Sequence, residues 1–138
     1  AIPLALQAAL GQGARFRIFG DDYDTRDGTA VRDYVHVTDL ADAHVRALHY
    51  LLAGGATTAF NLGTGTGTTV KELIAIIRSA TRLPLEVELA SRRPGDAPCL
   101  VADSLRARDV LGWKPARSLD DMVRSAWRWH AAEAGLLT

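Results

Sequence analysis

Several residue types are scarce in this chain, and each scarcity excludes a class of protein. Its 138 residues include one cysteine, Cys99, so neither an intramolecular disulfide nor a cysteine-rich zinc cluster can form. A lone thiol is typical of a reducing compartment, and the longest apolar runs fall far short of the ~20 residues that a membrane span needs. We therefore expect a cytoplasmic protein without a membrane segment.

An excess of charge of either sign is also missing. Sixteen basic residues balance sixteen acidic residues, so the formal net charge is zero. This balance argues against nucleic acid or an anionic membrane as the main partner, because both attract strongly basic surfaces. Any site for an anion must therefore be local.

Methionine occurs once, at Met122, and the chain begins at Ala1. This beginning predicts a fragment of a longer protein. Hydrophobic residues make up 48% of the chain, which is enough for the core of one domain and excludes a disordered tail. We therefore expect a single folded domain over residues 1–138.

Short strands alternate with longer helices along the chain, which predicts an α/β fold. Helices are predicted over 1–11, 39–53, 70–81, 104–111 and 119–130, and strands over 16–20, 31–37, 59–62, 85–89 and 100–102. Thr38 or Asp39 is expected to cap the second helix, and the fourth helix is expected to begin at Asp103 or Ser104. For the third and fifth helices, a hydroxyl residue followed three residues later by an acid predicts a capping box.

A glycine-rich segment, Gly63-x-Gly65-x-Gly67, lies between a predicted strand and a predicted helix, as the dinucleotide-binding fingerprint does. The match is incomplete, because the third glycine of that fingerprint would fall at Thr68. Free N–H groups at the start of the following helix could bind a phosphate. A tight turn that allows close backbone approach explains the same glycines, and it is the interpretation we favour.

Two segments that contain arginine are suited to an anionic ligand. The segment 92–96, Arg-Arg-Pro-Gly-Asp, has a bend that can present two guanidinium groups to phosphate oxygens, while Asp96 can accept from a sugar hydroxyl. Arg32 adds a third guanidinium, with Tyr34 on the same face of an extended segment. A solvated pair of surface arginines explains segment 92–96 equally well, so both interpretations stay open from these residues alone.

Signals for a metal ion or a nucleophile are weak. Asp22, Asp24 and Asp27 are spaced like part of a calcium loop, but that loop requires other residue types at Arg26 and Asp27, so a solvated loop is the better interpretation. No two histidines lie four residues apart on one helix, as zinc ligands would. A G-x-S-x-G motif is absent, and nothing pairs Cys99 with a histidine.

Seven blocks of the sequence, read in order, resemble the C-terminal half of the UDP-glucose 4-epimerase family. They are 19–23, 27–29, 32–37, 39–44, 61–67, 92–96 and 111–113. Several are shared across the extended short-chain dehydrogenase/reductase superfamily. The Tyr-x-Thr-x-Asp-Gly-Thr block at 23–29, which leads into Arg-Asp-Tyr, is more particular to the 4-epimerases. The resemblance covers essentially the whole chain.

The resemblance implies that residues 1–138 form a small C-terminal α/β domain of short strands plus helices, which binds the nucleotide sugar. In this family an N-terminal Rossmann domain, missing here, holds NAD. The enzyme interconverts UDP-glucose and UDP-galactose in galactose metabolism: hydride leaves C4 of the hexose for NAD, the 4-keto intermediate rotates, and hydride returns to its other face. We expect neither cofactor nor metal in this chain itself.

The resemblance also implies substrate-binding roles by position. Arg32 and Arg93 would bind the pyrophosphate, and Asp96 would bind the ribose hydroxyls. Further residues would line the uracil or pack near the nucleotide: Arg17, Ile18, Phe19, Tyr34, Val70 and, through its backbone, Ala1. Leu100 would lie near the sugar, where side-chain size decides whether N-acetylated UDP-sugars enter, a question that leucine leaves open.

The catalytic motif of the family is absent from the chain. The base is a tyrosine in Tyr-x-x-x-Lys, where the lysine lowers the pKa of the phenol. Aspartate, threonine and glycine follow the three tyrosines at that offset, and neither Lys71 nor Lys114 lies four residues after a tyrosine. We therefore expect an isomerase as the parent protein, but a chain that is inactive alone.

Two alternatives remain open. The chain could be the same part of a nucleotide-sugar dehydratase or decarboxylase, or a stand-alone nucleotide-binding module without catalytic function. The expected partners are a UDP-hexose and the missing Rossmann domain, with no nucleic acid and no membrane. Loss of that domain would expose apolar surface on the 1–10 helix and around Phe19, so self-association is also expected.

Overall fold

Helices and short strands alternate along the chain. The computed structural model describes residues 1–136. Its helices are α1 (Ile2–Ala9), α2 (Val37–Leu52), α3 (Val70–Thr81), α4 (Leu105–Leu111) and α5 (Leu119–Glu133), and its strands are β1 (Phe16–Phe19), β2 (Val31–Arg32), β3 (Thr68–Thr69), β4 (Val87–Ala90) and β5 (Cys99–Leu100). The predicted α/β fold of short strands plus helices is confirmed.

The strands form two small sheets that are joined by the segment 91–98. β1 and β4 pair in parallel, with Phe16 opposite Val87 and Phe19 opposite Ala90. In the other sheet, β2 lies in the centre, antiparallel to β3 and parallel to β5. Because the segment 91–98 leaves one sheet and enters the other, its position is fixed at both ends.

The larger core lies between α1, α3, α5 and β1. Leu6, Leu73, Ile77 and Val123 are fully buried there. Leu73 and Ile77 are four residues apart, which places them on one face of α3. Burying each large aliphatic side chain contributes roughly 1.5–3 kcal/mol. This packing fixes α1 against β1, and both elements border the cleft that carries the candidate site.

A smaller cluster joins α2 to α4. Trp113 is fully buried between alanines of the two helices, and its indole N–H donates to the Asp39 carbonyl at 2.8 Å. The buried Asp39 carboxylate accepts from the backbone N–H groups of Ala116 and Arg117, each at 3.0 Å. These charge-assisted hydrogen bonds offset the cost of burying the carboxylate. Asp39 thereby joins the start of α2 to the turn before α5.

The start of α2 differs from the prediction, whereas the start of α4 agrees with it. His36 caps α2, because its Nδ1 accepts from the Thr38 N–H at 3.1 Å. Neither Thr38 nor Asp39 does so, since the Asp39 carboxylate is turned toward the segment before α5. At α4, Ser104 occupies the capping position, but Asp103 is the residue whose carboxylate accepts a first-turn N–H.

The starts of α3 and α5 agree with the prediction. Thr69 and Glu72 form a capping box at α3, and Ser118 and Asp121 form one at α5. In each box the hydroxyl and the carboxylate both accept from backbone N–H groups that the helix itself cannot pair. Such a cap contributes about 1 kcal/mol to the stability of its helix.

The segment 59–62, predicted as a strand, is not one. Within residues 1–136 no strand pairs with it. Phe60 instead packs edge-to-face against Tyr50 of α2, with ring centroids 5.9 Å apart. The alternation of this segment suits a strand, but a strand forms only beside a partner. For the same reason the predicted strand 31–37 is paired only over Val31–Arg32.

The exposed apolar surface agrees with the prediction only in part. On α1, Leu6 is fully buried and Leu4 is exposed. A larger exposed set lies on one face of α2, where Val45, Leu48 and Leu52 follow each other at spacings of three and four residues. We call these three residues the α2 apolar face. None of the helices within residues 1–136 combines the length and the apolar character that crossing a membrane requires.

Candidate functional site

A cleft of about 460 Å³ lies between α1, β1 and the segment 91–98. It brings together residues that are far apart in the sequence. Most of the predicted binding residues line it: Arg17, Phe19, Arg32, Tyr34, Val70, Arg93 and Asp96, together with Ala1. This cleft is the candidate functional site.

Two predicted residues lie apart from the others. The Ile18 side chain is buried in the larger core and does not line the cleft, because successive residues of a strand face opposite ways. Leu100 lies on β5 opposite Arg32, is 55% exposed and is also outside the cleft lining. The roles expected for these two residues stay predictions.

Sequence reasoning missed part of the lining. Leu4 and Gln7 of α1, and Gln12 and Arg15 of the loop that follows, also border the cleft. Ala1, Leu4 and Gln7 are each three residues apart, so the helical repeat could have placed them on one face. Gln12 and Arg15 belong to a loop whose path no motif encodes.

The Arg32 guanidinium is held by the segment 91–98. Its Nη1 donates to the carbonyls of Val31 at 2.7 Å and Ala97 at 2.9 Å, and its Nη2 lies 3.2 Å from Asp96 Oδ1. The Arg32 side chain is only 24% exposed, so this ion pair is less screened by water than a surface pair. The planar guanidinium is therefore oriented within the cleft before any ligand arrives.

The two adjacent arginines have different surroundings. Arg92 donates through Nε to Asp22 Oδ1 at 2.6 Å and stacks on the Tyr23 ring, 4.1 Å from its centroid. This hydrogen bond lowers the pKa of the Asp22 carboxyl. The Arg93 guanidinium lies 3.6 Å from the centroid of the Phe19 ring, in the cleft, and forms no ion pair with an acid among residues 1–136. Arg93 is therefore the member of the pair that a ligand can reach.

The cleft is positively charged although the chain is neutral. Arg15, Arg17, Arg32 and Arg93 line it, against one acidic residue, Asp96. Arg15 and Arg17 pair with glutamates that are outside the lining, at 3.0 and 3.2 Å. Arg32 pairs with Asp96, so within residues 1–136 Arg93 is the guanidinium of the cleft without an acidic partner, and it supplies the positive charge that attracts an anion.

Tyr34 forms a wall of the cleft beside Arg32. Burial raises the pKa of its phenol, and this effect exceeds the lowering by the Arg32 charge. The hydroxyl therefore stays protonated near neutral pH. With Phe19 and Val70, Tyr34 supplies the apolar surface that a planar ring can pack against.

The glycine-rich segment 63–67 binds an internal carboxylate. The N–H groups of Thr64 and Gly65 donate to Asp33, at 2.9 and 3.0 Å. The first three N–H groups of α3 likewise donate to carbonyl and hydroxyl oxygens of the protein. Because these donors are occupied, the structure favours the tight turn over a phosphate site.

The acidic loop 21–28 is held by hydrogen bonds. Asp27 accepts from the hydroxyl of Thr29 at 2.7 Å and from that of Thr69 at 2.5 Å. Burial raises the pKa of Asp27, but these hydrogen bonds and the Lys71 charge together lower it below its ordinary value. Within residues 1–136, no three His, Cys, Asp or Glu side chains are grouped so as to hold a metal ion.

Known proteins match this chain closely in sequence. The family model described as GDP-mannose 4,6 dehydratase matches residues 1–126. Among curated relatives, the UDP-glucose 4-epimerase of Rhizobium leguminosarum bv. trifolii is 61% identical over 131 residues, and that of Bacillus subtilis (strain 168) is 41% identical over 131 residues. Each match covers 95% of this chain but only 40% and 39% of the relative, so the chain spans about 40% of the length of these relatives.

Solved structures agree with the fold. The UDP-glucose 4-epimerase from Stenotrophomonas maltophila, with bound NAD and formylated UDP-arabinopyranose, has a TM-score of 0.93 at 42% identity, over 97% of this chain and 40% of that one. The enzyme from Bifidobacterium longum, in complex with NAD+ and UDP, has a TM-score of 0.87 at 37% identity, over 99% of this chain and 40% of that one. The chain thus belongs to the GDP-mannose 4,6 dehydratase family of extended short-chain dehydrogenases/reductases, and it matches the C-terminal part of the UDP-glucose 4-epimerases.

Proposed function

We propose that this chain is the UDP-sugar-binding part of a cytoplasmic, NAD-dependent UDP-glucose 4-epimerase, the isomerase that interconverts UDP-glucose and UDP-galactose. The observation that carries the proposal is the meeting of Arg32, Arg93, Asp96 and Phe19 in one positively charged cleft. The similarity to epimerases over 95% of the chain supports it further. Residues 1–138 would then form the substrate-binding domain.

Each group in the cleft suits one part of UDP. A guanidinium can donate two parallel hydrogen bonds to phosphate oxygens. The contacts of Arg32 with Val31, Ala97 and Asp96 use three of its five N–H groups, so its Nε and one Nη2 N–H are left for a phosphate. The Asp96 carboxylate keeps lone pairs that can accept from ribose hydroxyls. The Phe19 ring offers an aromatic face to uracil.

Arg93 would move from the Phe19 ring to a phosphate when UDP binds. An exposed cation–π contact contributes about 0.5–1 kcal/mol, whereas a hydrogen bond to a charged group contributes about 1.5–3 kcal/mol. The exchange is therefore favourable. The same movement uncovers the ring for the base.

NAD would bind in the rest of the parent protein. The glycine-rich segment 63–67 does not fit NAD, because the N–H groups it would offer to a pyrophosphate already donate to Asp33. The solved relatives that are named as NAD complexes support NAD as the cofactor of the parent. NAD would accept and return the hydride, while residues of this chain bind and orient the nucleotide sugar.

The α2 apolar face is the surface we propose for a partner. Exposed apolar side chains that line up along a helix mark an interaction site. The segment 59–62, which pairs with no strand within residues 1–136, packs beside α2 through Phe60 and Tyr50. The Rossmann domain of the parent would cover both, and the isolated chain would self-associate through them.

Leu100 is proposed to limit the size of the sugar. It is opposite Arg32 in the β2–β5 ladder, which supports a position near the end of the nucleotide that carries the sugar. In the parent protein, Leu100→Tyr should lower epimerisation of UDP-N-acetylglucosamine relative to UDP-glucose, because the larger ring occupies the space of the acetyl group. Both activities are measured on one preparation. An unchanged ratio would remove Leu100 as the gate.

A coupled assay of the parent protein tests the proposed activity. We expect it to convert UDP-galactose to UDP-glucose and to leave dTDP-glucose unchanged. Inactivity with UDP-galactose would refute the proposed function, and turnover of dTDP-glucose would favour a dehydratase. The parent carrying Arg93→Gln serves as the control, because its KM for UDP-galactose should rise while the catalytic groups stay intact.

A further inference from the structure

The Asp33 carboxylate connects its own segment to two others. Its Oδ1 accepts from the N–H of Thr64, and from the hydroxyl of the same residue. Its Oδ2 accepts from the N–H of Gly65 at 3.0 Å and from that of Ala102 at 3.2 Å. Asp33 follows β2, Gly65 precedes β3, and Ala102 follows β5. One side chain therefore joins the strands of this sheet at one end.

The contact between the Asp33 carboxylate and Ala102 requires a glycine at position 63. A Cβ at this position would lie 2.4 Å from Asp33 Oδ2 and 2.5 Å from the Ala102 Cβ. Any side chain here would push the carboxylate away from β5. The glycine therefore permits the close approach of Asp33. This contact explains the first glycine of segment 63–67, to which the proposed function assigns no role.

The pairing of β5 with β2 is short. Only two residues of each strand face each other. Before this ladder, Arg32 donates to Ala97 and pairs with Asp96. After it, Asp33 accepts from Ala102. Two adjacent residues of the chain thus hold the two ends of β5, Arg32 from the cleft side and Asp33 from outside the cleft.

We propose that Asp33 is a positioning residue for nucleotide binding. By fixing the end of β5, it keeps Arg93 and Asp96 beside Arg32 in the cleft. The proposal rests on the proposed function, because it takes these three residues as the contacts of UDP. Asp33 is outside the cleft lining, so its loss would lower affinity without removing a contact to the ligand.

Two matched aspartates provide the test. Asp33→Asn and Asp39→Asn each alter a carboxylate that accepts backbone N–H groups from a distant part of the chain. Both variants should lower the midpoint of thermal unfolding. Only Asp33→Asn should raise the Kd of UDP, by about tenfold. Asp39→Asn should stay within about twofold of wild type. The Kd is measured by calorimetric titration of the 138-residue chain.

A mutant cycle shows whether Asp33 acts through the segment it holds. In a chain that already carries Arg93→Gln and Asp96→Asn, Asp33→Asn should raise the Kd by less than about threefold, since both contacts that it positions are already weakened. Effects that multiply fully would overturn the proposal. So would an unchanged Kd in Asp33→Asn, or an equal rise in Asp39→Asn.

Hydrogen exchange of the ligand-free chain tests the positioning role of Asp33 independently of whether the chain binds UDP. Asp33→Asn should speed the exchange of backbone amides in 93–101, whereas Asp39→Asn should leave them at the wild-type rate. A wild-type chain that does not bind UDP would contradict the proposed function. Unchanged exchange over 93–101 in Asp33→Asn would overturn the positioning role, whether or not UDP binds.

Discussion

The two hydrophobic clusters of this molecule differ in how much apolar surface they bury. The cluster around α1, α3 and α5 encloses large side chains such as Leu73, which is 0% exposed. The cluster around Trp113 holds α2 and α4 together, yet Leu48 on α2 is 55% exposed and the segment 59–62 is unpaired in the described part of the chain. An amphipathic pattern thus shows that a helix has an apolar face, but not what covers that face.

The candidate site depends mainly on the first of these regions. α1, β1 and the start of α3 supply much of the cleft lining, while α2 and α4 supply none of it. Binding of a nucleotide should therefore depend on the larger core. Association with other protein surfaces should depend on α2.

The largest expected difference between the regions is in stability. Leu73→Ala should lower the free energy of unfolding by about 3 kcal/mol, because it leaves a cavity in a filled core. The matched change Leu48→Ala should lower it by about 0.5 kcal/mol or less, because that side chain is already half in water. Urea unfolding followed by circular dichroism measures both. Equal losses would show that the α2 apolar face is packed in solution.

Acid should lower the stability of the region around α1, α3 and α5. The hydrogen bond from Arg26 lowers the pKa of Glu72, and that from Ser118 lowers the pKa of Asp121. A carboxyl whose pKa is lower in the folded state adds stability above its unfolded pKa, and this stability is lost as the pH falls through the folded pKa. The thermal midpoint should therefore drop as the pH falls below about 4.

Glu72 can be tested as one source of this acid sensitivity. Glu72→Gln should make the drop in thermal midpoint between neutral and acid pH smaller, because the variant has no carboxylate to protonate. Asp24→Asn, on the exposed loop, should leave the drop unchanged and serves as the control. A drop that is identical in Glu72→Gln and wild type would assign the acid sensitivity to other groups.

The effect expected on self-association of the chain is smaller than the effects on stability. The isolated chain should self-associate at high concentration through the α2 apolar face, and Leu48→Lys with Leu52→Lys should make it monomeric, because two charges would be desolvated in the contact. Leu4→Lys, at an exposed position of α1, should not change the association. Sedimentation velocity measures all three. A monomeric wild-type chain would contradict the proposed surface, and a monomeric Leu4→Lys variant would move it to α1.

Local signals in the sequence predicted much of the fold. The α3 helix follows from its capping box and from apolar residues such as Leu73 and Ile77 at helical spacing, all of which act within one element. The start of α2 was predicted wrongly, because Asp39 binds backbone groups more than seventy residues away. The segment 59–62 has the pattern of a strand, but pattern alone supplies no pairing partner.

The candidate site, like the fold, could be predicted from the sequence only in part. Resemblance to a family predicted binding roles for Arg32, Arg93 and Asp96, and the structure brings these residues into one cleft. No pattern in the sequence distinguished Arg93 from Arg92. The difference arises because the two side chains stack on different aromatic rings, Phe19 and Tyr23. Contacts of this kind join segments about seventy residues apart, and a single sequence does not reveal them.

Calorimetric titration of UDP into the 138-residue chain tests the central claim most directly. We expect saturable binding by the wild-type chain, and a Kd that is raised about tenfold or more in Arg93→Gln, because a hydrogen bond to a charged phosphate is lost. Arg92→Gln should stay within about twofold, since Arg92 is engaged by Asp22 and Tyr23. No binding by the wild-type chain, or equal losses in the two variants, would contradict the claim that this cleft holds the nucleotide.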